Sequence, residues 1–427
     1  MGAGWAGLAA AIGATQAGHA TSVFETGHMA GGRARALPCR LPDGSSTTLD
    51  NGQHILIGAC TQVLGLLQLV GVDAQSSLLR LPLQLVYPDG NGLRLPRWPH
   101  GLDVLGGVLV ARGWSVADKA SLLLQGLRWR RAGFGCASGT TVEAVVSTCS
   151  PRVLREFIAP LCISSLNVPP AAADGQIFLR VMHDALFAGA GGSDLLLPRV
   201  DLSSLFPHAA ARWLAGKGAQ VRLGTRAQQL SWRAGQWQLD GEVFDQVVLA
   251  TSAPEAARIA TRALAGAPPT TAADIERWTA VAAALQHTAI TTVYAWREGA
   301  KLARPVLALR SSESPGPVYP AQFVFDRGQL GGPRGLLAFV VSASRDDGEL
   351  VQTGVLAQAR VQLGLDLVPV QTVVEKRAAF DCAPGVRRPG KAIASGLWAA
   401  GDYVEGPYPS TLEGAVRAGL GVFRTLD

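Results

Sequence analysis

The chain has 427 residues, enough for two domains rather than one simple core. Hydrophobic residues make up 48% and charged residues 16%, with mean hydropathy +0.21, but no apolar run reaches about 18 residues unbroken, so no transmembrane helix is expected. Net charge is +6 with the basic residues scattered and no interleaved aromatics, so nucleic-acid binding is not expected.

The first residues carry the strongest signal. Gly2, Gly4 and Gly7 fall on G-x-G-x-x-G spacing. The first glycine permits a tight turn, the second lets backbone approach a pyrophosphate, and the third lets the next helix pack on its strand. Phosphate then sits against the N–H groups of that helix's N-terminus. Ala20 to Phe24 reads as a short buried strand ending at Glu25, placed to accept ribose hydroxyls. Gly31-Gly32-Arg33-Ala34-Arg35 follows, with a backbone turn for a ligand and two guanidinium groups for phosphate. The fingerprint normally follows a buried strand, yet only Met1 precedes Gly2. That strand is expected either to lie upstream of Met1 or to be replaced by another segment, and the fold reading takes the former. No basic n-region announces a signal peptide.

From about residue 59 the texture becomes leucine-rich and helical, with helices expected over Thr61 to Leu69, Ala117 to Leu127 and Val142 to Phe157. The second closes on Arg128-Trp129-Arg130-Arg131, read as last-turn arginines complementing the helix dipole, with contact on an anionic bilayer as the alternative. Six cysteines lack C-x-x-C spacing and seven histidines lack an H-x-x-x-H pair, so reduced thiols and no metal site are expected.

Strands are expected at Gln220 to Leu223, Gln228 to Trp232, Trp237 to Leu239 and Val247 to Ala250, the last returning to the nucleotide-binding sheet. Residues 257 to 385 mix helices (Ala272 to Ala283, Val351 to Leu363) with strands (Ile290 to Trp296, Gln322 to Phe325, Leu336 to Ser342, Thr372 to Phe380), and Ser314 to Pro320 reads as a loop. Leu397-Trp-Ala-Ala-Gly-Asp-Tyr and a helix from Leu412 to Arg424 end the chain. Nucleotide-type pieces thus occur at the start, middle and end. The expected organisation is a dinucleotide-binding domain of residues 1–58, 206–256 and 386–427, with a substrate domain of 59–205 and 257–385 inserted twice.

Gly2-x-Gly4-x-x-Gly7, Glu25, Gly31-Gly32-Arg33 and Gly401-Asp402 resemble the flavin amine oxidase and phytoene desaturase superfamily. Longer stretches narrow the resemblance: Leu49-Asp50-Asn51-Gly52-Gln53-His54, Pro160 to Asn167, Leu196 to Leu202, and Tyr408 to Val416. Over nearly its whole length the chain is similar to the hydroxysqualene dehydroxylase family, once described as squalene-associated FAD-dependent desaturases. Ser410 stands where that family is expected to carry alanine. The resemblance implies an α/β fold: a Rossmann-like FAD-binding domain of GR2 type with an inserted mixed α+β substrate domain. It implies FAD, an apolar polyisoprenoid substrate, and reductive dehydroxylation of hydroxysqualene to squalene for hopanoid formation. Squalene-synthase-like enzymes of the same pathway are the implied partners. A cytoplasmic location is expected, with peripheral contact at the inner face of the membrane as an option.

The resemblance puts Asp50 to His54 near the isoalloxazine ring, where Gly52 would allow close approach and Gln53 and His54 could bond ring heteroatoms. It puts Asp402, after Gly401, by the ribityl–phosphate region. Thr411, Leu412 and Glu413 open the last helix, whose N–H groups can face the electron-rich edge of the flavin; Glu413 can equally serve the helix end itself. His54, Asp326 and Tyr403 are the candidate proton donors, with no choice among them. Glu375 and Arg377 alternate on a strand and are expected to form a structural ion pair. A desaturase or amine oxidase on the same fold is the alternative activity, although aromatics at 6% are few for an amine-binding cage. A polyisoprenoid-carrying scaffold is the non-enzymatic alternative.

Overall fold

The computed structural model describes residues 1–99, 101–187, 189–233, 235–312, 318–344 and 347–423. Residues 314–317 of the expected loop Ser314 to Pro320, and Arg424 of the final helix, lie outside the described residues.

The first helix, Trp5–Gln16, is rich in alanine, so its backbone lies close to its neighbours, above all the final helix Leu412–Phe423. Beneath it, strand Ser22–Phe24 runs parallel to Gln220–Arg222, and Val247–Leu249 runs parallel to Leu397–Ala399. Between these two pairs lie Met1 and Gly2. The Met1 amine donates to the Val248 carbonyl at 2.7 Å, the Ala250 amide donates to the Met1 carbonyl at 2.8 Å, and the Gly2 amide donates to the Phe24 carbonyl at 2.7 Å. The centre of the parallel sheet is therefore held by these two residues, and no other segment among the described residues takes that place. Ala392–Ala394 adds to Leu397–Ala399 as an antiparallel neighbour, so a two-stranded and a three-stranded sheet flank Met1 and Gly2.

The second large element is an antiparallel sheet in the order Val306–Ala308, Phe323–Asp326, Leu336–Ser344, His287–Trp296, Val368–Phe380. Strand alternation assigns its two faces. Val293 and Ala295 join Leu337, Phe339 and the helix Gly348–Leu363 in one core. Thr292 and Tyr294 point the other way, onto the backbone of residues 50–53. This sheet is thus the floor beneath the Asp50–His54 loop.

The expected helix Val142 to Phe157 is broken. Val142–Val145 ends, a new helix starts at Pro151 with Ser150 accepting the Val153 amide, and Leu154–Ile158 is a π-turn leading into Ala159–Leu166. Two local causes suffice. Ser-Pro is a strong helix start, and Pro160 brings no N–H to the ladder, which the wider π-turn accommodates. The helix expected over Ala117 to Leu127 runs Val116–Arg131: Ser115 and Asp118 form a capping box at its start, and Arg128, Arg130 and Arg131 fall in its last turn as expected.

Candidate functional site

Gly4 caps the first helix without any side-chain bond, and the first helical turn carries no acid. The N–H groups and positive end of that helix therefore remain for an anion. A Cβ placed on Gly4 would meet nothing nearer than the Gly32 Cα, at 3.7 Å. Gly7 differs, for a Cβ there would lie 1.9 Å from the Gly2 carbonyl oxygen. Gly4 bridges to Gly31, and the Gly31 amide donates to the Ala3 carbonyl at 2.8 Å, so the two glycine turns face each other. Glu25 accepts the Ala3 amide at 2.8 Å on one oxygen and the Gly27 amide at 2.7 Å on the other. Each carboxylate oxygen keeps a second lone pair, so the group can still receive ribose hydroxyls.

Arg33 takes a different post from the expected one. Its guanidinium donates to the Arg377 and Ala378 carbonyls at 2.9 and 2.6 Å and to Asp402 at 2.6 Å. It is a strut joining the glycine turn, the strand Val368–Phe380 and the segment after Gly401. Arg35 is likewise turned back onto the Gly32 carbonyl. Asp402, neutralised on one oxygen by Arg33, keeps the chemistry to accept a ribityl hydroxyl on the other. Glu375 accepts the Arg377 amide and the Asn51 side chain instead of forming the expected ion pair with the Arg377 guanidinium.

Gly52 sits at φ +97°, which a side chain would strain. The Gln53 amide reaches Thr292 Oγ1 at 3.3 Å. The Gln53 side chain, expected to bond ring heteroatoms, is engaged below the loop instead: its Nε2 donates to the His54 carbonyl at 3.2 Å and its Oε1 accepts from Arg327 at 3.1 Å. His54 Nδ1 lies 2.8 Å from the Gly52 carbonyl. A carbonyl only accepts, so Nδ1 carries the proton and Nε2 is the reactive nitrogen. Burial lowers the His54 pKa below its ordinary value, the Gly52 bond opposes that, and Arg33 adds to it.

Sequence spacing missed the pair under this loop. Asp50 is 1% exposed; one oxygen accepts the Leu202 amide at 2.8 Å, and the other, without a hydrogen bond, lies 3.7 Å from the Arg327 guanidinium. Burial lifts the Asp50 pKa from 3.8 to about 6 against the pull of Arg327. Between those pH values the folded chain holds a proton that the unfolded chain releases. Stability therefore falls as pH rises through that window, by about 3 kcal/mol in all. Asp50→Asn is expected to flatten denaturant-unfolding stability between pH 4 and pH 6; an unaltered slope would assign the titration elsewhere.

Two expected site residues are engaged otherwise. Asp326 is 2% exposed and accepts the Leu302 amide at 3.0 Å, the Gln329 amide at 3.3 Å and the Gln329 side chain at 2.8 Å. It caps the turn Arg327–Leu330, and both its oxygens are occupied as acceptors. Glu413 is also 2% exposed, and its carboxylate is engaged across the fold rather than at its own helix end. Its oxygens accept the Gln62 and Val63 amides at 3.1 and 3.0 Å, at the start of helix Thr61–Leu69, and Arg417 at 2.7 Å. Thr411 Oγ1 accepts the Gly414 amide at 2.9 Å, leaving the Leu412 and Glu413 amides as the open end of the final helix. Tyr403 is 3% exposed, its ring lies against Gly401, and its hydroxyl has no partner. Burial and the neighbouring Asp402 raise its pKa, so it stays a neutral phenol.

The family model described as flavin containing amine oxidoreductase matches residues 5–422. The chain belongs to that family. Its cofactor is FAD. The residues fit this group: an uncapped helix end behind an open Gly4, two facing glycine turns, and a carboxylate at the adenosine side. This flavoprotein is 25% identical over 436 residues to a protein of Sinorhizobium fredii named hydroxysqualene dehydroxylase, covering 98% of this chain and 95% of that one. It is 26% identical over 447 residues to a protein of the same name from Rhodopseudomonas palustris, with the same coverage. Over 100 residues, 22% of the chain and 19% of the relative, it is 40% identical to hydroxyneurosporene desaturase of Rhodobacter capsulatus. Among solved structures, an oxidoreductase from Methanosarcina mazei matches with TM-score 0.71 at 17% identity, covering 99% and 98% of the two chains. Reduced UDP-galactopyranose mutase matches with TM-score 0.67 at 14% identity, covering 100% and 92%. These likenesses establish the fold. No helix among the described residues is long and apolar enough to cross a membrane.

Proposed function

We propose that this oxidoreductase replaces the hydroxyl of hydroxysqualene with hydrogen, yielding squalene and water and feeding hopanoid formation. The observation that carries the reading is the near full-length similarity to two proteins bearing that name, in a chain that carries the motifs Leu49 to His54 and Tyr408 to Val416. Reduced FAD, when bound, supplies the hydride. The chain must supply a proton for the departing oxygen, orientation, and exclusion of the water that would trap an allylic cation.

His54 is the donor this reading favours. Asp326 is spent as a cap and the Tyr403 hydroxyl is enclosed, whereas His54 is half-buried and points Nε2 away from its Gly52 contact. Only the imidazolium carries a proton on Nε2 to give. With its pKa depressed, that form is lost as pH rises through a value below 6.5. The rate of dehydroxylation is therefore expected to rise toward acid, and His54→Gln to cost roughly a hundredfold and remove that limb of the pH profile. A His54→Gln profile matching the parent's would remove His54 from the proton path.

The reaction itself is tested by anaerobic incubation of the photoreduced flavoprotein with hydroxysqualene. Squalene formation supports the proposal. Turnover only in the oxidative direction, with a polyisoprenoid as hydride donor, favours a desaturase, the reading to which the hydroxyneurosporene desaturase match lends weight. No turnover by folded, yellow protein supports a carrier.

A further inference from the structure

Half of the large exposed hydrophobic side chains among the described residues, eight of sixteen, fall between Trp98 and Leu127. They lie largely on two helices joined where Lys119 Nζ donates to the Leu109 carbonyl at 2.8 Å. Helix Leu102–Leu109 buries Gly106, Gly107 and Val108 and leaves Leu102, Leu105 and Leu109 at 54%, 42% and 53% exposure. Their spacing puts them on one stripe. Helix Val116–Arg131 likewise presents Val116, Leu124 and Leu127 to the outside while burying Leu122, Gln125 and Trp129. Apolar stripes grouped in this way mark an interaction surface.

Charge says what the surface meets. Residues 94–131 hold seven Lys and Arg against two Asp, so five of the six net positive charges of the chain reside in this stretch. Both acids are consumed locally: Asp118 by its capping box, Asp103 by the Gly101 and Val104 amides. Arg97, Arg112, Arg128, Arg130 and Arg131 are exposed around the leucines. Apolar side chains bordered by arginines, with Trp98 exposed at the edge, suit the boundary between acyl chains and anionic headgroups.

We propose that this two-helix face docks the protein on an anionic lipid bilayer. The docking is independent of which reaction the flavin supports. The full-length flavoprotein is floated with vesicles of phosphatidylcholine, with and without phosphatidylglycerol. It is expected to rise with the anionic vesicles and to be released by salt. The double variant Leu105→Asp/Leu109→Asp is expected to stay unbound, and the triple variant Arg128→Glu/Arg130→Glu/Arg131→Glu to lose more than about tenfold in partitioning. Flavin absorbance and the thermal melt, which these exposed positions should leave unchanged, report that each variant is folded. Three results would overturn the proposal: no flotation of the parent protein, flotation indifferent to both variants, or a concentration-dependent dimer or duplex-DNA complex lost with the same substitutions in the absence of vesicle binding.

Discussion

Gly4→Val is expected to give a folded, colourless protein. The backbone at Gly4 has φ −73°, open to any residue, and the space beside it is bounded only by Gly32 at 3.7 Å. The isolated chain thus tolerates a side chain there, at about 1 kcal/mol for a poorer helix cap. The pyrophosphate does not, because it must come against this same backbone. Loss of more than about 2.8 kcal/mol of cofactor affinity, a hundredfold, is expected from FAD titration, with a thermal melt close to that of the parent apoprotein. Gly7→Ala supplies the contrast. Its Cβ would collide with the Gly2 carbonyl oxygen at 1.9 Å, so it should fail as a fold rather than as a binding site. Retention of stoichiometric flavin by Gly4→Val would move the phosphate away from the opening turn.

Glu413→Ala is expected to cost stability rather than cofactor. The carboxylate is enclosed, and its removal strands the Gln62 and Val63 amides together with the partner charge of Arg417. Unsatisfied buried donors and a broken, largely buried ion pair together cost about 2–4 kcal/mol. The denaturation midpoint should fall accordingly, while flavin content per folded molecule stays at the parent value. Depleted flavin with an undiminished midpoint is the result that would return Glu413 to the cofactor.

These two residues mark the reach of sequence alone. Gly4 acts through local backbone geometry, and a glycine at fixed spacing before a helix is visible in the string of letters. Glu413 opens a helix, so it reads as a local cap or a flavin contact, yet it caps a helix that begins some 350 residues earlier in the chain. The same separation hid the brace under the Asp50–His54 loop, where Arg327 meets Gln53 across 274 residues and Asp50 lies beside it. Arg33 was legible as a ligand-side cation but not as a strut, because its acceptors are backbone carbonyls of Arg377 and Ala378, and carbonyls carry no signature in sequence.

By itself the order of residues carried the glycine turn at Gly2, Gly4 and Gly7, about half of the strands and helices, and, through its longer motifs, the resemblance to flavoproteins. The turn and the elements rest on the steric needs of glycine and on periodicity, which are properties of neighbours along the chain, whereas the flavin rests on the resemblance of the motifs. Only the tertiary structure decided which buried charges face one another, that Met1 and Gly2 hold the centre of the parallel sheet, and that two helices turn leucines outward among arginines. Those outcomes depend on the distance between groups in the packed state, where a low dielectric and the loss of water make each unpaired polar atom costly enough to select its partner.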